Sequence, residues 1–420
     1  MGIRVSSLKE TEGYGFVGGG VCAARGFTAN GLRCGLNDTP GKNDLGLIAC
    51  SRDCSTAGVY TTNKVKGAPI TVTKSHIAAS GGVSRAVIMN SRNANTCNED
   101  GVMKAEKMCS LAAEALGISP QKVLVASTGV IGQVLPIEPI ESKIGELAAG
   151  LCREGHLEAE KAVMTTDTVP KEAAVEFMCG GKKCSLGGMA KGSGMIDPHM
   201  ATTLNFITTD ADISSVLLQT ALSDVVRTTY NCLSVDGDMS TNDMVLLMAD
   251  GMAGNERIES QDSEDYAVFR GALYCVMMNL TRMLAADGEG ATKLIECDVT
   301  GAPDPEQAVT AAKSVVSSNL FKCAVFGGDA NWGRILCALG YADASYDIGK
   351  VSVSISSSAG SVDVCRNGAG IPFSEEKAAA VLAENEITVS VDLHQGHESA
   401  AAWGCDLTYD YVKINGDYRS

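Results

Sequence analysis

The sequence predicts a mixed α/β chain. Short strand-like apolar runs alternate with helical stretches along all 420 residues, and most of the runs end in polar loops. Apolar residues make up 45% of the chain and aromatic residues only 5%, so the core is expected to consist of Ala, Val, Ile, Leu and Met.

The elements follow in order. Ala86 to Met89 reads as a short buried strand, Val102 to Leu116 as an amphipathic helix, and Val123 to Ala126 as a strand that delivers Ser127-Thr128-Gly129. Thr202 to Thr209 reads as a strand. Ser215 to Cys232 reads as a helix, with Val216, Leu217, Ala221, Leu222, Val225 and Val226 at helical spacing. Met244 to Met248 is a buried strand after an acidic turn. Tyr266 to Ala286 is the longest helical pattern and stops at Asp287-Gly288-Glu289-Gly290. Beyond about residue 300 the pattern tightens: a helix from Pro305 to Val316, strands at Lys322 to Phe326 and Val351 to Ser357, a helix from Glu375 to Ala383, and a strand from Ile387 to Leu393.

At this length the chain predicts two to three units of roughly 150 residues each. The 50 acidic residues outnumber the 34 basic ones, and the net charge of -16 disfavours nucleic acid and anionic membranes as partners. No run approaches the roughly 18 apolar residues of a membrane span, and Met1 to Lys9 lacks the apolar stretch of a secretory signal. The 16 cysteines are scattered singly with no C-x-x-C pair, which fits buried thiols in a reducing cytoplasm. His394 and His397 are the only close histidine pair, and their polar surroundings fit a solvated loop better than a metal site. No metal site is expected.

Several segments carry chemistry. In Lys191-Gly192-Ser193-Gly194-Met195-Ile196-Asp197-Pro198-His199-Met200-Ala201-Thr202-Thr203-Leu204 a glycine-rich loop runs into a threonine that opens a strand. A cut between Ala201 and Thr202 would place the Thr202 hydroxyl beside its own α-amine, a base with a reference pKa near 8. On spacing alone a plain turn before a strand accounts for the segment better. Ser127-Thr128-Gly129-Val130-Ile131-Gly132 offers a hydroxyl and close backbone N–H groups, the parts of an oxyanion hole, although by itself a tight turn closing a strand accounts for it better. Met164 to Thr168 packs three hydroxyls and a carboxylate at the end of a helical run, either as a helix terminus or as a ligand site. Asp236 to Asp243 resembles half a calcium loop, but Leu247 stands where the twelfth-position Glu is needed, so calcium is excluded. Gly327 to Arg334 lacks Gly-Lys-Ser/Thr, and Asp as N-cap of the following helix accounts for it better than an anion site. The terminus from Tyr411 to Ser420 is rich in aromatic and charged residues, unlike a frayed tail.

Together these segments resemble the ornithine acetyltransferases of arginine biosynthesis, also called bifunctional glutamate/ornithine acetyltransferases. The likeness extends through Ala57 to Val65, Asn90 to Asn95, the Thr128 loop, Met164 to Thr168, Lys191 to Leu204, Val235 to Asp243, Gly328 to Arg334 and Trp403 to Ser420. The resemblance implies a layered α/β sandwich with a smaller C-terminal α/β domain. It implies self-cleavage into an α chain (1–201, with the oxyanion and pocket loops) and a β chain. Residues 202–300 would complete the main domain, and 301–420 would form the smaller subdomain and a substrate-contacting tail. The implied reaction moves acetyl from N-acetylornithine to glutamate by a ping-pong route through acetyl-Thr202. Thr128 and Gly129 match the oxyanion positions, and Thr168, Lys191, Thr202, Glu289, Asn415 and Ser420 match the substrate-binding positions. No cofactor is implied. Acetyl-CoA enters only as an alternative co-substrate, with no nucleotide-binding motif present. An α2β2 heterotetramer in the cytoplasm is the implied assembly. Asp197, His199 and Thr203 depart from the family pattern around the cleavage site, and Arg92 replaces a usual glycine in an Asn-Ser-x-Asn loop where a turn needs positive φ. The competing enzymatic reading is an N-terminal-nucleophile amidase or aminopeptidase, in which water replaces glutamate as acceptor. A non-catalytic ligand-binding protein that never matures is the third.

Overall fold

Alternating apolar side chains build most strands of this chain and send two different cores to their two sides. A computed structural model describes residues 3–197 and 203–417. The part before residue 198 supplies β1 (Gly15–Phe16), β2 (Phe27–Leu32), β3 (Leu45–Tyr60), α1 (Ala68–Ala79), β4 (Val83–Asn90), α2 (Gly101–Leu116), β5 (Val123–Ser127), α3 (Glu138–Ala149), α4 (His156–Val163), β6 (Glu172–Cys179) and β7 (Lys182–Lys191). After residue 202 come β8 (Leu204–Thr209), α5 (Ser215–Arg227), β9 (Leu233–Ser234), β10 (Met244–Ala249), α6 (Glu264–Ala286) and β11 (Leu294–Ala302). Then follow α7 (Pro305–Ser317), α8 (Asn319–Phe326), α9 (Trp332–Tyr341), β12 (Ser352–Ser357), β13 (Gly360–Arg366), β14 (Ala369–Gly370), α10 (Glu375–Leu382), β15 (Glu386–Asp392), β16 (Glu398–Cys405) and α11 (Tyr409–Gly416).

The first sheet runs β1-β6-β7-β8-β10-β3-β4-β5, with β2 also paired to β3. β3 is long enough to serve two neighbourhoods. Its first half pairs with β2 and β4, its second half pairs with β10, and the exposed Ser51-Arg52-Asp53 lies at a register break between them. Such a break bends a strand, and the sheet folds over on itself. The side-chain period of two then sorts the residues. Ile48, Val87, Met89 and Leu124 face Leu204, Phe206, Met244 and Leu246 in an inner core. Their neighbours Leu47, Ile88 and Val125 pack outward on α2 and α3. On the opposite outer face Ile207, Val245 and Leu247 join α5 and α6. The result is a layered helix-sheet-sheet-helix sandwich.

The second sheet, β14-β13-β12-β15-β11-β16-β9, draws on residues 233–405. α6 packs against β6 and β7 of the first sheet and against β11 and β16 of the second. A helix covered from both sides is apolar around most of its circumference, and α6 is buried along most of its length from Ala272 to Ala286. No helix of the described chain is long and apolar enough to cross a membrane.

Three local expectations are corrected. Lys322 to Phe326 is not a strand but the second half of α8, whose first turn is capped by Ser318 accepting from the Phe321 N–H. Phe321, Ala324 and Val325 are buried at helical spacing, and the run between them is too short for its periodicity to be read. The cap before α9 is Asn331, which accepts from the Arg334 N–H, not Asp329. The helix from Ser215 ends at Arg227, and Tyr230–Cys232 forms a separate 3-10 turn.

Candidate active site

β5 lies parallel to β4 and stops at Ser127, so its continuation, Thr128 and Gly129, emerges beside the Asn90 to Asn95 loop that continues β4. The Thr128 N–H donates to the Asn90 carbonyl at 3.0 Å, and the Val130 N–H donates to the Arg92 carbonyl at 3.0 Å. Between these bonds Gly129 has φ +128°, and a Cβ there would collide with the Arg92 carbonyl group. Glycine is required at this point by both backbone angle and space. Asn242 locks the two loops together: its amide donates to the Ala94 carbonyl at 2.5 Å and the Ser127 carbonyl at 2.8 Å. The Thr96 and Thr241 hydroxyls donate to its Oδ1.

The Lys191 ammonium, at the end of β7, donates to Thr128 Oγ1 at 3.2 Å. That bond uses a lone pair of the hydroxyl and leaves its hydrogen to be aimed elsewhere. Among the described residues none accepts from the Gly129 N–H. A hydroxyl hydrogen and an N–H on adjacent residues form a two-donor cradle for a developing negative oxygen.

Behind this cradle lies a buried ionic triad. The Lys171 ammonium sits 2.7 Å from Asp167 Oδ1 and 2.7 Å from Asp287 Oδ2, with all three side chains fully buried. Asp167 also accepts from the Thr165 and Gly192 N–H groups, and Asp287 accepts from the Thr168 N–H and hydroxyl. Burial alone would raise the Asp167 carboxyl, but the Lys171 and Lys191 ammoniums and the hydrogen bonds outweigh it and hold it well below the usual carboxylate range. Burial likewise opposes the charge on Lys171, and its two carboxylates more than restore it. One cation thus ties together the 165–168 loop, the start of the glycine-rich loop and the turn after α6.

That turn carries Glu289. Its N–H donates to the Ser193 carbonyl at 2.8 Å, and the Asn415 amide of α11 donates to its Oε2 at 2.7 Å. Gly194 passes so close that a Cβ on it would collide with the Glu289 carboxylate. Asp236 holds the far side of the loop by accepting from the Met195 and Ile196 N–H groups at 2.6 and 2.8 Å. Asp197 pairs with Lys313 at 3.1 Å.

A cavity of about 290 Å³ collects these parts. Thr128, Gly129, Lys191, Glu289 and Asn415, widely separated in sequence, all line it, together with Thr165, Thr166 and Asn242. Thr168 does not line the cavity; its N–H and hydroxyl are held by Asp287. Ala201, Thr202, His199 and Ser420 lie outside the described residues. Thr203, which follows Thr202, is buried at the head of β8, one residue before Leu204, the partner of Lys191 across the β7–β8 pair. Next to it in the sheet, burial pushes the Asp243 carboxyl well above its usual range, opposed by hydrogen bonds from Ser240 and by the Lys191 charge.

Sequence reasoning missed Asn242, Asp287 and Lys171. Asp287 was visible only as part of a helix stop, and Asn242 only as part of a loop that fails as a calcium site. The pairing of buried charges across more than a hundred residues has no local signature.

The ArgJ family model matches residues 28–420. The arginine biosynthesis bifunctional protein ArgJ of Symbiobacterium thermophilum is 49% identical over 407 residues, covering 96% of this chain and 100% of that protein. The protein of the same name from Bacillus licheniformis is 46% identical over 421 residues, covering 100% of each. Among solved structures, the crystal structure of arginine biosynthesis bifunctional protein ArgJ from Bacillus halodurans is 45% identical, covering 50% of this chain and 96% of that chain, with a TM-score of 0.47.

Proposed function

The chain belongs to the ArgJ family of acetyltransferases, and from that premise we propose that it transfers acetyl from N2-acetyl-L-ornithine to L-glutamate, giving L-ornithine and N-acetyl-L-glutamate. The observation that carries the reading is the convergence of a two-donor cradle at Thr128 and Gly129, a cation at Lys191 and an anion at Glu289 on one cavity. An amino acid with both ammonium and carboxylate groups needs that charge pattern.

In this reading the chain first cuts itself between Ala201 and Thr202, which frees the Thr202 α-amine. The amine takes the proton of Thr202 Oγ1, and the oxygen attacks the acetyl carbonyl of N-acetylornithine. The carbonyl π electrons move onto oxygen, where the Thr128 hydroxyl and Gly129 N–H stabilise the charge. Collapse of the intermediate breaks the C–N bond. The departing nitrogen takes the proton back from the Thr202 ammonium, and ornithine leaves behind an acetyl ester. The amine of glutamate then attacks the ester through the same cradle, its proton passes by way of the Thr202 amine to Oγ1, and N-acetylglutamate leaves. Lys191 meets the α-carboxylate and Glu289, steered by Asn415, meets the side-chain ammonium of the donor. Thr168 and Ser420 complete the substrate contacts. No cofactor takes part. Acetyl-CoA is the alternative acetyl donor, to be assayed in parallel with N-acetylornithine; the α and β chains assemble as an α2β2 heterotetramer, and the cytoplasm is the setting.

Intact-mass analysis tests the reading directly. The expected result is two fragments meeting at 201/202 and an added acetyl mass on the Thr202 fragment after incubation with N-acetylornithine. A Thr202→Ala variant is expected to stay uncut and inactive. An uncut active enzyme, or free acetate in place of N-acetylglutamate as the main product, would refute it.

A further inference from the structure

The proposed reaction sets a problem of charge. Donor and acceptor share an α-carboxylate, but the ornithine side chain ends in an ammonium and the glutamate side chain in a carboxylate. Glu289 suits the first and repels the second.

A second cavity, of about 260 Å³, abuts the first and shares Gly129, Val130, Thr165 and Thr166 with it. Its lining includes Lys42 and Arg92. Among the described residues no carboxylate lies within ion-pairing distance of either. The Lys42 ammonium donates to the Thr165 carbonyl at 2.5 Å, which leaves further protons to donate. Burial lowers its affinity for a proton; Asp167 opposes that, and the like charges of Lys191 and Arg92 add to it. An anion placed there would relieve the repulsion.

Arg92 supplies an independent observation. It has φ +75°, a conformation that costs a non-glycine residue and suits the glycine usual at this point of the resembling loop. Its backbone is fixed by the Val130 N–H and by the close passage of Gly129, so Arg92 is held on the loop directly beside the Thr128–Gly129 loop. A strained backbone at the wall of a cavity whose lining includes Lys42 and Arg92 and, among the described residues, no carboxylate has the form of a binding device.

We propose that Lys42 and Arg92 form an anion subsite for the side-chain carboxylate of the acceptor glutamate, separate from the Glu289 subsite for the side-chain ammonium of the donor. The assignment rests on the acetyl-transfer reading above. It makes the oxyanion loop the divider between two side-chain pockets of opposite charge.

Steady-state kinetics on Arg92→Gly and Lys42→Gln tests it. Arg92→Gly removes the cation while relaxing the backbone, so its melting temperature is expected to match or exceed that of the parent. In both variants the KM for glutamate is expected to rise about tenfold or more, the loss typical of one charge-assisted contact. The KM for N-acetylornithine is expected to move less than twofold. The preference for glutamate over glutamine as acceptor is expected to fall by a similar tenfold. A parallel rise in both KM values would overturn the proposal, because the cations would then read the shared α-carboxylate. An unchanged glutamate-to-glutamine preference would overturn it too. Failure of the parent enzyme to release ornithine from N-acetylornithine would sink the transfer reading together with the subsite, whereas ornithine release with an unaltered preference sinks the subsite alone.

Discussion

Replacing Lys171 by Met keeps the length of the side chain and removes the one cation that, among the described residues, bonds to both Asp167 and Asp287. Both carboxylates are fully buried, so solvent does not take over the role of the ammonium. Breaking a buried pair by deleting one partner costs about 3–5 kcal/mol. The sign of the pH dependence follows from the directions of the shifts. In the parent chain Asp167 is held below its unfolded value, so its contribution is complete above about pH 3.9 and is lost as pH falls through the lower folded value. Without Lys171 its charge and hydrogen bond no longer oppose burial, so the folded value of Asp167 rises and less of its stabilising contribution develops as pH rises. The gap between parent and variant should therefore widen with pH. Urea unfolding at pH 5.5 and pH 8 measures it, with equal m values as the check that the unfolded states match. A gap under about 1 kcal/mol at pH 8, set against the expected 3–5, would refute the argument, as would a gap of the same size at both pH values. Acetyl transfer should fall as well, since the triad anchors three of the loops around the cavity.

Thr128→Val removes one donor of the proposed oxyanion cradle and the acceptor of Lys191, so kcat is expected to fall by about 10²–10³ with the fold intact by circular dichroism; a loss under fivefold would remove Thr128 from the cradle. Gly129→Ala forces a Cβ onto the Arg92 carbonyl at a backbone angle that favours glycine. It should abolish turnover and lower the melting temperature, and retention of half the activity would contradict the packing described. Burial raises the Asp250 carboxyl to about 6, with the Met252 N–H and Cys50 opposing it. A raised carboxyl contributes stability at low pH that is lost as pH rises through the folded value. Asp250→Asn should therefore melt higher than the parent at pH 8, with the advantage shrinking towards pH 5.5; a lower melting temperature at pH 8 would be inconsistent with that shift.

Much of the fold was legible because apolar periodicity survives wherever an element has one covered face. β4, α2, β5, β10 and α6 fall within a few residues of their predicted limits for that reason. The run at Lys322 to Phe326 failed because five residues of a buried helix present the same apolar string as a buried strand. The double service of β3 left no signal, since its exposed Ser51-Arg52-Asp53 reads as a loop, not as the bend of one strand. At the site, Thr128 and Gly129 are legible as a hydroxyl and close N–H groups after a strand, whereas the roles of Lys191, Glu289 and Asn415 come from the family resemblance, which supplies the partners that local pattern cannot. Lys171, Asp287 and Asn242 escaped because their roles depend on contacts across the fold: a lysine four residues from one aspartate reads as an ordinary surface pair until the second aspartate arrives.

The first sheet places β8 and β10 between β7 on one side and β3 on the other. A break between residues 201 and 202 therefore leaves the later segment as two middle staves of a panel whose outer staves all belong to the earlier one. Each piece taken alone would expose raw sheet edges: β7 and β3 in the earlier piece, β8 and β10 in the later. Such edges invite aggregation. Under the proposed cleavage the two pieces would therefore be made as one polypeptide, folded together and only afterwards parted, with the backbone hydrogen bonds of the β7–β8 and β10–β3 pairs left to hold them in place of the peptide bond.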